Sequence, residues 1–271
     1  MNLVNGKPSS SISIFDRGFL YGDSVFETIL VLNKKPKNID LHLKRLKLGC
    51  NKLKINNLDS RLLSKCIKKA LSDINNCILS INVTRGTAIK RGYNINLANN
   101  PNIIITTSEI PKYPKEFSTK GIKTKFAKTN LMKSEGLSRI KHSNRIEQIL
   151  ASSEITKNFP ELILCDSKGF VIEGISSNIF FIKEKNFYTP IISESGVEGI
   201  MKSLIIKKIK KREFKIIEKK IHKKDVYNYD AAFFCNSIRL AWNILSVNGK
   251  KFKGNKFASE IISITNNELS K

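Results

Sequence analysis

Residues 139–155, RIKHSNRIEQILASSEI, set the frame for the rest of the chain. Asn144 followed three residues later by Glu147 has the form of a capping box, and Ile146, Ile149 and Leu150 recur at helical spacing. The pattern predicts a helix that starts just after Asn144, with Lys141 immediately outside its first turn. A helix N-terminus carries partial positive charge, so a lysine placed against it favours its neutral amine. A neutral amine is a nucleophile for aldehydes.

Composition bounds what surrounds this stretch. At 271 residues the chain can form one large domain or two modest ones. Its 48 basic and 23 acidic residues leave a net charge of +25, but lysines occur in nearly every block beside Ile and Asn. Spread charge of this kind gives weak affinity for polyanions and a field that attracts small anions; with no nucleic-acid-binding motif, no specific nucleic acid is expected as a partner. The alternative from a different class is a basic nucleic-acid-binding protein without catalysis. Cys50, Cys66, Cys77, Cys165 and Cys235 have no CxxC spacing and read as reduced thiols of a cytoplasmic protein. Three histidines in no ligand-like arrangement make a metal site unexpected. No apolar run has the length of a membrane span, so no membrane association is expected.

Taken in order, LVNGKP reads as a hairpin and Val25, Phe26, Ile29, Leu30 and Val31 as the next strand, reached through a loop that bears Gly18, Tyr21 and Gly22. Residues 39–54 form an amphipathic helix with Asp40 as N-cap and Arg45 projecting away from the leucines, and residues 60–74 form another. A strand ends at Thr84, where Arg85-Gly86 and Arg91-Gly92-Tyr93 bracket a loop able to hold a carboxylate. The Pro- and Lys-rich stretch IPKYPKEFSTKG marks the domain linker. The expected division is a first domain over 1–115, a linker over 116–124 and a second domain over 125–271 that carries the lysine. In the second half FVIEGISSNIFFI is a strand on which Glu173 projects opposite Phe170 and Ile172, and Gly199 introduces a helix whose first amides, those of Ile200 and Met201, suit an anion. Ser237 follows the apolar strand Ala232–Cys235 as a turn residue or phosphate ligand.

The ordered blocks FDRGFLYGDSVFETI, HLKRL, VTRG, KHSNRIEQ, EGISSNIFFI with YTP, and GIMK resemble the class IV aminotransferase family across almost the whole chain. The resemblance implies an α+β protein of fold type IV, with a smaller α/β N-terminal domain, a larger C-terminal domain on a β-barrel-like core, and pyridoxal 5'-phosphate in the cleft between them. It implies a homodimer. Lys141 matches the Schiff-base lysine, and Glu173 the acid at the pyridine nitrogen. Arg45, Ile200, Met201 and Ser237 match phosphate contacts, Asn178 belongs to the SxN motif, and Tyr21, Arg85 and Arg91 match positions that shape the substrate pocket. Met201 replaces the threonine of many transaminases.

Within the family, IKHSNRIEQIL, GVEGIMK, CNS and the RGY at 91–93 look most like 4-amino-4-deoxychorismate lyases, whose substrate is a small dianion. VTRGTA looks like the D-amino acid aminotransferases, although Arg91-Gly92-Tyr93 stands where their histidine is expected. Branched-chain aminotransferases carry a Tyr soon after the lysine, where this chain has Arg145. The expected activity is therefore conversion of aminodeoxychorismate to p-aminobenzoate and pyruvate, with amino transfer from D-amino or branched-chain amino acids as the alternative.

Overall fold

The computed structural model describes residues 1–269, an α+β chain that divides into two compact units. The first comprises Met1–Pro111 and Ile140–Asn144; the second comprises Lys112–Arg139 and the chain from Arg145 onward.

The first unit contains β1 (Asn2–Val4), β2 (Lys7–Pro8), α1 (Arg17–Tyr21), β3 (Ser24–Leu32), β4 (Lys35–Pro36), α2 (Ile39–Lys52), α3 (Ser60–Ala70), β5 (Cys77–Thr84) and β6 (Asn102–Ser108). Its sheet runs β2-β1-β6-β5-β3-β4. The pairings are antiparallel throughout, so this unit is an antiparallel sheet with helices, not a set of parallel βαβ crossovers. Alternation decides which residues meet the helices. Val25, Ile29 and Val31 on β3 and Leu79, Ile81 and Val83 on β5 pack with Leu46 and Cys50 of α2 and with Leu63 and Ile67 of α3. Glu27 lies on the same inward side of β3 and is fully buried, so its carboxylate requires partners. They come from α2: His42 Nδ1 lies 2.6 Å from Oε2, and Arg45 donates from Nε at 2.8 Å and Nη2 at 2.6 Å.

The second unit contains α4 (Lys115–Thr119), β7 (Ile122–Thr124), α5 (Ile146–Ser152), β8 (Ile163–Cys165), β9 (Val171–Gly174), β10 (Asn178–Lys183), β11 (Asn186–Pro190), α6 (Ile200–Lys211), β12 (Lys215–Lys219), β13 (Ala231–Asn236), β14 (Leu240–Val247), β15 (Lys250–Lys251) and α7 (Lys256–Leu269). Its main sheet follows the open order β12-β11-β10-β13-β14-β15, with β7 against β14, and among the described residues no pairing closes it into a barrel. β10 is buried on both faces. Phe180 and Ile182 meet α6 and α7, whereas Ile179 and Phe181 meet the cluster around Trp242 and Val226. Phe180 stacks on its cross-strand partner Phe233 with ring centroids 5.0 Å apart.

Several local expectations change. The stretch expected as a linker carries α4 and β7, because Ile122 is needed in the core against β14. The cap of α2 is Asn38 in a left-handed conformation, and Asp40 falls inside the first turn. The capping box at Asn144 does not form: α5 starts at Ile146 with Arg145 as N-cap, Asn144 donates instead to the Gly22 carbonyl, and Glu147 accepts the Met132 amide. α5 also buries Gln148 and Ala151 while Ile146, Ile149 and Leu150 face outward, each more than half exposed. Lys141 is thus not presented by a helix end; its segment joins the first unit.

Two measurements follow from this packing. Phe180→Ala removes a ring with no exposed surface and should lower unfolding free energy by about 3–5 kcal/mol in urea titrations. Burial pushes the Glu27 carboxyl up, but hydrogen bonds from Arg45 and His42 outweigh it and hold it below the usual range. A depressed carboxyl contributes stability that is complete above its unfolded value and is lost as pH falls through the folded one. Unfolding titrations from about pH 6 to about pH 3 should therefore show a shallower acid loss for Glu27→Gln than for the parent chain.

Candidate active site

In the first unit the chain around Lys141 is held by the edge of β3 that β5 does not use. Phe26 donates its amide to the Lys141 carbonyl at 2.8 Å, Ser143 donates to the Ser24 carbonyl at 3.0 Å, and Val25 and His142 form an antiparallel bridge between these bonds. The hydroxyls of Ser24 and Ser143 add a contact at 2.6 Å. Because Phe26 projects to the face opposite Val25, it supplies a ring beneath the lysine, whose Nζ lies 4.3 Å from the ring centroid. On the other face of the same strand sit Glu27, His42 and Arg45.

Tyr21 and Arg91 are brought together, and Arg85 is not brought to them. Tyr21 Oη accepts the Gly92 amide at 3.1 Å, and its ring lies 5.5 Å from Tyr93 and 5.1 Å from the Arg17 guanidinium. The Gly92 bond holds the phenol below its ordinary value against burial, with Arg91 and Arg17 adding to the lowering. Arg85 is buried and its donors go elsewhere: to both oxygens of Asp23 at 2.7 and 2.9 Å and to the carbonyls of Leu53 and Lys54 at 2.6 Å. It ties the end of α2 to the end of β5. Asp23 also accepts Arg17 Nε, and Arg17 Nη1 donates to the Gly92 carbonyl at 2.7 Å, so Arg85 acts on the 91–94 loop through two intermediaries.

In the second unit Glu173, Asn178 and the start of α6 meet around one peptide. The Val197 amide donates to Glu173 Oε2 at 2.9 Å, and Asn178 Nδ2 donates to the Val197 carbonyl at 3.0 Å. Val197 is fixed in turn by a ladder to Arg139, whose amide donates to Gly196 and whose carbonyl accepts Glu198. Gly199, the N-cap of α6, meets Asn178 so closely that a Cβ there would overlap Oδ1 of the amide, so the backbone must stay bare at this point. The Ile200 and Met201 amides open a helix of 12 residues, while the Met201 side chain is buried in the core and offers nothing to a ligand. Ser237 lies in the turn after β13. Asn236 shapes that turn by accepting the Ile238 and Arg239 amides, and Arg239 pairs with buried Glu161, which also accepts from Ser176.

The sequence reading missed the residues that hold these groups. Glu27, itself held by His42, grips Arg45; Glu161 and Arg239 tie the bend at 175–177 to the turn at 236–239; Lys202, fully buried, anchors α6 through Glu218 at 2.9 Å, the Pro190 carbonyl at 3.3 Å and Glu198 at 3.4 Å. A usable signal existed for the first group: His42 and Arg45, three apart on one helix, face a carboxylate on the inward register of a strand.

Residues 24–247 match the family described as amino-transferase class IV, a span that includes Arg45, Lys141, Glu173, Asn178 and Ser237. The chain is 27% identical over 236 residues to the aminodeoxychorismate lyase of Vibrio harveyi, covering 87% of each, and 26% identical over 259 residues to the D-alanine aminotransferase of Bacillus licheniformis, covering 92% of this chain and 88% of that one. A crystal structure of 4-amino-4-deoxychorismate lyase from Pseudomonas aeruginosa superposes with a TM-score of 0.95 at 25% identity over 100% of both chains. The chain therefore belongs to the class IV aminotransferase family.

Proposed function

We propose that the chain is a pyridoxal 5'-phosphate-dependent 4-amino-4-deoxychorismate lyase of the cytoplasm, which converts aminodeoxychorismate to p-aminobenzoate and pyruvate. The observation that carries this reading is the end-to-end likeness to the Pseudomonas aeruginosa lyase, with neither chain left uncovered. Five free, buried cysteines accord with a reducing compartment.

The donor set fits the cofactor. A phosphate suits the first amides of α6, where Gly199 leaves the backbone bare; Arg45 and the Ser237 hydroxyl are added as phosphate contacts by the family resemblance. Asn178 holds that helix start in register. A buried carboxylate at Glu173 suits a ring nitrogen that must stay protonated. When bound, pyridoxal 5'-phosphate supplies an electron sink for negative charge developing at the substrate carbon next to the amine.

Each remaining step belongs to the protein. Lys141 Nζ would hold the cofactor through its aldehyde and, as a free amine once substrate is bound, would take the proton from the substrate ring carbon that bears the nitrogen. Glu173 would keep the ring nitrogen of the bound cofactor protonated, which lowers the cost of negative charge at that carbon. The C–O bond to the enolpyruvyl group then breaks with its electron pair leaving on oxygen, and protonation of the enol gives pyruvate. The ring left behind is aromatic, so no keto acid acceptor is consumed. Tyr21 and Arg91 line the approach of the dianion, with Arg85 supporting their loop. An aminotransferase would instead return the proton to the cofactor carbon and require a keto acid.

We further read the chain as a homodimer, supported by the outward apolar side chains of Ile146, Ile149 and Leu150 on α5. Ile149→Asp should shift the protein from dimer to monomer in light scattering, and an unchanged mass would remove α5 from the interface.

Purified protein supplied with aminodeoxychorismate and no keto acid should release p-aminobenzoate and pyruvate in equal amounts. Lys141→Ala should abolish both this turnover and the borohydride-sensitive yellow colour. Amino transfer from D-alanine with no pyruvate released from aminodeoxychorismate would replace the lyase by the aminotransferase; turnover surviving in Lys141→Ala would remove the lysine from the mechanism.

A further inference from the structure

We propose that Glu27 and His42 are positioning residues that set the Arg45 guanidinium for the cofactor phosphate, a role that rests on reading Arg45 as a phosphate contact. The geometry is specific. The two Glu27 oxygens accept from Arg45 Nε at 2.8 Å and Nη2 at 2.6 Å, which fixes the guanidinium in plane and direction. His42 Nδ1 contacts Oε2 at 2.6 Å; the carboxylate can only accept, so Nδ1 carries the proton. That bond stops the carboxylate from rotating away from the arginine.

Energetics favour a positioning role over a stabilising one. Glu27 has no exposed surface, His42 is 1% exposed, and the Arg45 side chain is 10% exposed. A buried ionic cluster in the core of a strand–helix pair is commonly no more stable than an apolar set of the same volume. β3 carries Val25, Ile29 and Val31 at the neighbouring inward positions, so the sheet itself has no need of a charge at 27. What an aliphatic residue there could not provide is an arginine of fixed orientation. An arginine free to sample its rotamers gives up side-chain entropy when it binds phosphate; one already clamped gives up less.

The test separates orientation from general stability by using the phosphate as the variable. Full-length protein freed of cofactor is titrated with pyridoxal 5'-phosphate and with pyridoxal, which lacks the phosphate, following fluorescence of Trp242. The dissociation constant of pyridoxal divided by that of pyridoxal 5'-phosphate measures what the phosphate contributes. Glu27→Gln should reduce this ratio about tenfold, with pyridoxal affinity unchanged, and His42→Gln should reduce it in the same direction by less. In an Arg45→Lys background, Glu27→Gln should reduce it no further. A ratio that stays at the parent value in both Glu27→Gln and His42→Gln while Arg45→Lys lowers it overturns the proposal and leaves the role of Arg45 standing. If both ligands weaken in parallel, Glu27 is only structural and the proposal fails. A ratio unmoved by Arg45→Lys removes Arg45 from the phosphate, and this proposal with it. Should Glu27→Gln fail to fold, the His42→Gln ratio decides alone.

Discussion

The site depends on a short backbone ladder between Ser24–Phe26 and Lys141–Ser143. Backbone bonds of 2.8 and 3.0 Å fix the main chain at Lys141 and Ser143, so the lysine side chain starts from a held position. The same ladder gives the N-terminal half of β3 a partner on the side that β5 leaves open. Without it that edge would present unpaired amides. Strand β3 is thereby used on every side: one edge for the lysine segment, the other for β5, one face for the ring under Lys141, and the opposite face for the carboxylate that grips Arg45.

In the second unit one peptide plays the comparable part. Val197 joins an acid, an amide and a helix start, because its N–H meets Glu173, its carbonyl meets Asn178, and Gly199 follows two residues later. Its neighbours bond to Arg139, so the loop is not free to relax. Buried groups such as Glu161 and Lys202 then hold the elements around it. Glu161 finds its opposite charge in the largely buried Arg239 side chain, whereas Lys202 reaches out to Glu218 at the surface.

Much of this was legible in the sequence. Strands β3 and β5 and helices α2, α3 and α6 follow from alternation, helical spacing and the glycine at 199, and the order of motifs identified the family; the single strand expected over FVIEGISSNIFFI is instead two, β9 and β10, which pair in different sheets because the chain bends at 175–177. What failed was local capping logic. Asn144 and Glu147 have the spacing of a box, but their side chains bond to Gly22 and Met132, distant in sequence. Helical spacing at Ile146, Ile149 and Leu150 was read correctly as helix, while the direction in which that stripe faces depends on neighbours that one sequence does not display. Arg85 illustrates the same limit: an arginine at a strand end beside glycine suits a ligand, but Asp23 and two carbonyls claim it first.

The chain enters the first unit for five residues, Ile140–Asn144, and leaves again. A chain in which residues 1–111 were exchanged for those of a relative would therefore set β3 against a segment from the other parent. The Ser24–Ser143 hydroxyl contact and the Phe26 ring against Lys141 would then be made by residues drawn from different parents.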